Sequence, residues 1–539
     1  MSADVNAAPE YANSHHLDPR AKLEILFAVL LALFMFALDQ TVVGVALPSI
    51  ISDLKGQELY AWTITIYLLT STISGPIYGK LSDLFGRRPI FIWAVGLFLL
   101  ASVGAALSPT MPLFIFFRGL QGLGGGAVFP LAFAVLADLY TPAERGKYSG
   151  FFGAVFGLSS IIGPALGGII TDNFGWPWIF IVNVPIALVS LFVIFRLLPA
   201  IKRPEAARNI DYVGAALFTA AIGPFLVGLS NKASSDWTDP WVGGLMLIGI
   251  VFALVFLWWE GRVEEPIVVL PLFRIRTFTI SVLAMFLMSF GFLSAIVYLP
   301  LWFQVVHGST ATESGYQLLP LLGALIISAT LSGQIVARTH RYKALIVTAM
   351  VALAVGLFLL TNLHSNTDIT VLWIWMVIAG AGIGPAFAVF TLIVSAAVPM
   401  RQIGVASSGL TFFQQIGGTI GLTIASTLFA SRLTEEVPKQ LIAAGVPAEA
   451  VGGFSQGGSI LSLTGTDLRA TILAQFPQAA PIVDAIVAGI REAISVALGG
   501  AIWVGIGAAV IAVIAVLFLK EVPLRSSWDE EGPPPAAMG

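Results

Sequence analysis

Fourteen stretches of about 20 mostly apolar residues run along this 539-residue chain, and a helix of that length crosses the hydrocarbon core of a bilayer. They fall at 25–47, 62–78, 90–107, 112–136, 148–170, 177–198, 211–229, 241–259, 277–305, 314–337, 344–362, 371–393, 404–430 and 495–519. The first is too long for a signal peptide, carries an aspartate and is followed by further spans, so it reads as retained. Composition agrees. The chain is 57% hydrophobic and 11% charged, where an ordinary soluble domain carries roughly 25% charged residues. No water-soluble fold of this size hides that much apolar surface. A cytosolic enzyme, a secreted domain and a disordered protein are excluded, and an all-α polytopic membrane protein is expected.

Other classes fall on charge and side-chain chemistry. A net charge of −3 gives no electrostatic case for a nucleic-acid partner. Cysteine is absent, so there is neither a disulfide framework nor a thiolate metal site. The five histidines, His15, His16, His307, His340 and His364, fall in the N-terminal tail or in loops, where neither a metal ligand nor a proton relay is expected. The 54 glycines suit close helix–helix packing in lipid.

Orientation follows from the basic residues. With the N-terminus inside, twenty of the 27 Lys and Arg fall in the inner connections and tails, and six fall in the outer ones. The remaining one, Arg118, is inside a span. This asymmetry places both termini in the cytoplasm. The organisation expected is an inner tail at 1–24, a six-helix half at 25–198, two additional helices at 211–259, a second six-helix half at 277–519, and a tail at 520–539. The second half includes a long outer segment, 431–494, with helix-like pieces such as 466–476. The proline-rich tail is expected to be disordered. The additional pair is expected outside the two halves, as a lateral brace or lipid contact.

Only two ionisable residues lie well inside spans, Asp39 in the first and Arg118 in the fourth. Charges at the bilayer centre cost several kcal/mol and persist by facing a cavity or a partner. Two readings stand side by side. In one, the two residues pin their helices together. In the other, Asp39 gains and loses a proton, because desolvation favours the neutral form of a carboxyl and a nearby guanidinium favours the charged form.

Four motifs carry a family resemblance. GKLSDLFGRRP (79–89), between spans 2 and 3, resembles the signature loop of the major facilitator superfamily. Its members here are Gly79, Asp83, Gly86, Arg87 and Arg88. The resemblance implies that the loop docks on the opposite half when the inner side closes. Asp83 would then face the positive end of a helix, here the start of span 13 near residue 404, with Arg87 and Arg88 balancing its charge. A degenerate echo, SGQIVARTHRYK (332–343), joins spans 10 and 11 with Gly333, Arg338, Arg341 and Lys343 but no aspartate. It supports an internal repeat of two halves.

In span 4, LFIFFRGLQGLGGG (113–126) resembles the family's arginine motif, with Arg118 and Gln121 as polar members and Gly122, Gly124, Gly125 and Gly126 allowing close approach. In span 5, GAVFGLSSIIGPALGG (153–168) resembles the superfamily's antiporter motif, which family experience associates with export. Gly163 and Pro164 favour a kink, and Gly167 and Gly168 thin the helix. Ser159 replaces a glycine of that pattern. LDQTVVGVALP (38–48) resembles the motif that marks the fourteen-span drug:proton antiporters of multidrug efflux type, with Gly44 in place of the usual asparagine. GWPWIFIVNVPIA (175–187) resembles that subfamily's entry to span 6, with Pro177 where arginine is usual.

The resemblance implies a proton-coupled efflux antiporter of the cell membrane, associated with antibiotic resistance, working by alternating access. Asp39 and Arg118 would carry the coupling. No cofactor is expected, the proton gradient being the energy source, and no Walker motif occurs. The expected partners are protons, membrane lipids and a small amphiphilic substrate, often cationic, and the expected state is a monomer. An apolar, aromatic cavity is expected from Tyr67, Gln121, Tyr298, Trp302, Phe303, Gln304, Phe387, Phe412, Phe413 and Gln414. Three rivals share the pattern: a proton-coupled nutrient importer, an exporter of a lipid or lipid-linked glycan, and a scaffold or receptor built on the same fold.

Overall fold

The computed structural model describes residues 17–55, 60–140, 142–199, 211–232, 235–263, 266–309, 311–398, 403–447, 451, 468–475 and 477–521. The described residues are nearly all helical, and none lies in a strand. In chain order the first half holds α1 (Pro19–Leu54), α2 (Tyr60–Phe85), α3 (Arg87–Ala106), α4 (Met111–Leu139), α5 (Pro142–Phe174), the short α6 (Pro177–Ile181) and α7 (Asn183–Leu197). The additional pair is α8 (Tyr212–Asn231) and α9 (Leu245–Glu260). The second half holds α10 (Arg276–Val306), the short α11 (Ala311–Gln317), α12 (Leu319–Thr339), α13 (Lys343–Leu360), α14 (Ile369–Ala397) and α15 (Ile403–Ala443). It ends with α16 (Leu468–Gln475) and α17 (Val483–Leu517). Twelve stretches among the described residues are long and apolar enough to cross a membrane. With α2 (26 residues) and α5 (33 residues), which run through the same bundle, the count is the fourteen of the sequence.

The two halves repeat one packing device. In α4, a Cβ added at Gly122 would meet Thr70 Oγ1 at 2.1 Å, and one at Gly126 would meet the Ser71 carbonyl at 2.1 Å, both on α2. In α14, a Cβ added at Gly380 or Gly384 would lie 2.1 or 2.2 Å from the Leu321 or Leu325 carbonyl of α12. Two glycines four apart thus bring the fourth span of each half backbone-to-backbone against the second. Lipid gives no hydrophobic drive for helix association, so small residues that allow close approach do this work.

Three further contacts define how the parts join. Both ends of the 431–494 segment extend its flanking spans. α15 continues to Ala443 and α17 begins at Val483, and the two pack through buried Leu433, Val437 and Leu441 against Ile486 and Ile490. The additional pair packs against both halves. Phe218 of α8 stacks 5.1 Å from Phe412 of α15 and 5.3 Å from Phe256 of α9. The same cluster takes in Leu69 and Ile73 of α2, so the pair closes over a seam between the halves. The far side of α9 exposes Leu247, Val251, Leu254 and Trp258, as a lipid-facing surface would. The aspartate missing from the 332–343 echo has a substitute. Glu521, just past α17, accepts the backbone N–H groups of Tyr342 and Lys343, each at 3.1 Å, at the N-terminus of α13. The 522–539 tail lies outside the described residues.

Candidate functional site: a buried ion pair and an inner latch

Asp39 sits midway along α1 and is 3% exposed, and Arg118 of α4 is 2% exposed. They meet: Arg118 Nη1 donates to Asp39 Oδ2 at 2.6 Å and to Gln121 Oε1 at 2.5 Å. Gln121, one helical turn beyond Arg118 on the same face, turns its amide back and donates from Nε2 to Asp39 Oδ1 at 2.8 Å. Two residues not singled out from the sequence complete the cage. Asn183, at the start of α7, donates to Asp39 Oδ1 at 3.2 Å. Ser102 of α3 accepts from Gln121 and from Asn183, each at 3.0 Å, and donates to the Phe180 carbonyl at 3.1 Å. Asn183 stands in the NVP of the span-6 entry, and that polar residue opening an apolar span was the signal available. Nothing distinguished Ser102 from the other serines of the chain.

The aromatic side of the cage is Tyr67. Its ring lies over the Arg118 guanidinium at 4.2 Å and stacks on Phe36 at 6.2 Å, and Phe180 lies 5.9 Å from the same guanidinium. A desolvated cation–π contact is worth about 2 kcal/mol. The Tyr67 hydroxyl is buried and meets no hydrogen-bond partner. A charge pair taken out of water repays its desolvation only when the remaining donors and acceptors are satisfied. Here the carboxylate has three donors on both oxygens, and the guanidinium has a carboxylate, an amide oxygen and a ring face, while its buried Nε meets no acceptor. A crevice reaches Asp39 between α1, α5 and the α6–α7 turn, lined by Val42, Leu166, Ile170 and Val182.

The 79–89 loop forms the second element. Gly86 takes φ +93°, a left-handed conformation that side chains resist, and turns the chain from α2 into α3. The Ser82 hydroxyl donates to the Gly79 carbonyl at 2.8 Å. Asp83 is buried. Its Oδ2 accepts the backbone N–H of Val405, in the first turn of α15, at 3.0 Å, the contact expected near residue 404. Arg87 forms an ion pair with Asp83 and a second with Asp138 of α4 at 3.1 Å. Arg88 does not share that role. Its guanidinium donates to the Phe195 carbonyl and lies 5.0 Å over the Phe195 ring, because it projects from the outer face of α3 toward α7. The latch closes the inner end, taking inner and outer in the sense of the sequence orientation.

The span-5 motif packs rather than titrates. A Cβ at Gly163 would lie 1.9 Å from Thr41 Oγ1, and one at Gly167 would lie 3.1 Å from the Val42 carbonyl, so α5 rides directly on the segment of α1 that carries Asp39. Gly168 has open space around it. The side chain of Pro164 lies outside the described residues.

The cavity candidates do not come together. Trp302 and Phe303 are fully enclosed in the second half, where Trp302 Nε1 donates to Ser495 Oγ of α17 at 2.8 Å. Tyr298 donates to Ser426 Oγ of α15 at 2.8 Å, and Gln304 to Ser314 Oγ at 3.1 Å. Phe387 lies 5.5 Å from Phe292. Phe412 faces the additional pair, and Phe413 lies 5.9 Å from Phe273 of the connection before α10. Gln414 is half-buried on α15. Its neighbour Gln415, which the sequence did not single out, crosses between the halves, with Thr72 of α2 donating to its Oε1 at 3.2 Å.

Two six-span halves latched at one end, with a charge pair buried inside one of them, have the build of a membrane transporter. The chain belongs to the Major Facilitator Superfamily, whose pattern it matches over residues 29–422. It is 34% identical to the "Multidrug transporter protein MdtP" of Bacillus subtilis over 522 residues, covering 94% of each chain. It is 32% identical to "Multidrug resistance protein 3" of the same organism over 504 residues, 93% of this chain and 96% of that one. Among solved structures it is similar to the proton:xylose symporter XylE, with a TM-score of 0.60 at 15% identity, covering 94% of this chain and 97% of that one. The human organic anion transporter MFSD10 gives a TM-score of 0.55 at 15% identity, covering 93% and 100%. At those identities the likeness concerns the fold alone.

Proposed function

We propose that this transporter is a proton-coupled antiporter that exports lipophilic and amphiphilic compounds, often cations, by alternating access. It would work as a monomer in the plasma membrane with both termini in the cytoplasm. The observation that carries the reading is the Asp39–Arg118 pair, the two ionisable residues the sequence places deep in spans, held 2.6 Å apart. The names of the two Bacillus relatives agree with the substrate class.

In this mechanism Asp39 accepts a proton. The caged carboxylate then loses its charge and Arg118 keeps its own, with the Tyr67 face as the remaining compensation. Gln121, Ser102 and Asn183 re-pair around a neutral acid. That local change biases α1 against α4 and α5, and the halves rock about the mid-plane, closing and opening the latch. Each charge moved through the field is worth about 2.3 kcal/mol per 100 mV, so a few such steps suffice to drive a two-state equilibrium. The decisive measurement is pH-gradient-dependent transport of a lipophilic cation in proteoliposomes, wild type against Asp39→Asn. Retained folding and binding with lost coupling is expected. Unchanged coupling removes Asp39 from the mechanism.

A further inference from the structure

We propose that Glu260 is a second proton-binding site, at the inner end of the additional helix pair, which holds its proton while the inner latch is closed and releases it when the latch opens. The proposal rests on the alternating-access reading but not on Asp39.

Glu260 ends α9, and the chain then loops back toward α10. A carboxylate at such a position ordinarily faces water, yet Glu260 is 3% exposed. Its Oε1 accepts the backbone N–H of Ile267 at 3.3 Å, and the Val268 amide faces the same carboxyl. The side chain therefore staples the returning connection to the end of α9. Its other oxygen, Oε2, is buried and meets no donor. Two charged groups from other elements act on it, Asp211 at the start of α8 and Lys80 near the end of α2. Asp211 is occupied with other donors: the Gly214 amide at 2.7 Å and the Trp259 indole at 3.0 Å. Arg262, in the connection itself, turns away, donating to the Trp258 carbonyl at 2.8 Å and lying over the Trp258 ring at 4.1 Å. An ionised carboxylate needs donors on both oxygens when dry, whereas a protonated one can leave an oxygen unpaired at much lower cost. Burial, the orphaned oxygen and the like charge of Asp211 outweigh the pull of Lys80 and the two amides toward the charged form, so this pocket suits the neutral acid.

The connection that Glu260 staples belongs to the gate. Ile267, Val268 and Phe273 line one crevice together with Pro76 of α2 and Val405 and Phe412 of α15. Val405 is the residue whose amide closes on Asp83. When that turn of α15 withdraws, the crevice opens and water reaches the carboxyl, which then ionises. The sign follows. The closed latch binds one proton more than the open one, so low inner pH favours closure and rising pH favours opening.

The chain has no cysteine, so one introduced thiol reports alone. Gly409 lies in the same crevice, and the nearest atom to a Cβ added there is 3.9 Å away, so Gly409→Cys fits the closed form. The full-length protein carrying Gly409→Cys and Asp39→Asn is purified in detergent. Labelling by a methanethiosulfonate reagent is followed from pH 6 to pH 8, normalised at each pH to the denatured chain. With Glu260 present, labelling should accelerate about fivefold across that range as the open population grows, and with Glu260→Gln it should stay flat. Equal acceleration in both, or none with Glu260 present, overturns the proposal. Should the glutamine variant fail to fold, Glu260→Asp serves, with the acceleration kept and its midpoint displaced. An undisplaced midpoint counts against the site. Because Asp39 is already neutralised, failure here is distinct from failure of the Asp39 mechanism.

Discussion

The backbone amide of Val405, in the second half, donates to the buried carboxylate of Asp83, in the first, at 3.0 Å. A side chain of one half thus caps the first turn of a helix in the other, where the helix dipole adds its partial positive charge. Hydrogen bonds to a charged group contribute about 1.5–3 kcal/mol. Asp83→Asn should therefore shift the inner equilibrium toward open by about tenfold or more. Labelling of a single cysteine placed at Ser407, in the same turn, should rise accordingly, and an unchanged rate would show that the latch is not what holds the halves.

Arg118 and Asp39 should fail separately and recover together. Breaking a buried pair from one side strands the other charge and costs about 3–5 kcal/mol. Arg118→Ala is expected to lower the melting temperature of the purified protein markedly. Arg118→Ala combined with Asp39→Asn should recover most of that loss while remaining inactive in coupled transport. Arg118→Lys should keep the charge and lose the shared contact to Gln121 and the planar stack on Tyr67, so it should fold and transport poorly.

Asn183→Ala removes one donor from Asp39 Oδ1 and one from the Ser102 hub without touching the ion pair. Losing a hydrogen bond to a carboxylate favours its protonated form. The pH profile of drug-coupled transport should move toward higher pH, with substrate binding little changed. A fall in activity with an unmoved profile would make Asn183 a packing residue only.

Gly163→Ala should be severely defective, since its Cβ would lie 1.9 Å from Thr41 Oγ1. Thr41 also donates to the Leu38 carbonyl at 2.9 Å and the Ser159 carbonyl at 3.1 Å, so it cannot simply rotate away. Adding Thr41→Gly removes the clash at a helix cost of about 1 kcal/mol, and partial recovery of transport is the expected result.

Phe412→Ala tests the additional pair. The ring is buried between Phe218 and the connection before α10, and Phe-to-Ala losses in packed cores run about 3–5 kcal/mol. Thermal unfolding should shift down. If α8 and α9 were mere lipid contacts, it would not change.

The sequence by itself determined the solvent, the span count, the two-half organisation and the two residues that cannot be ordinary in lipid. Those are local properties: a run of apolar residues must be helical in a bilayer, and a lone carboxylate or guanidinium in such a run must find a partner. The resemblance of the loop motif to its family also implied the contact of Asp83 with the start of α15 that the structure shows. Only the tertiary structure decided which neighbours complete the cage. Gln121 joined the buried ion pair rather than a cavity, and Asn183 and Ser102 entered from α7 and α3. Arg88 went to Phe195, and Trp302 was consumed by Ser495. The physical reason is that helices in lipid are apolar all round, so no stripe marks the inward face. Which polar side chains meet then depends on crossing points that small residues such as Gly122 and Gly163 set between segments far apart in the chain.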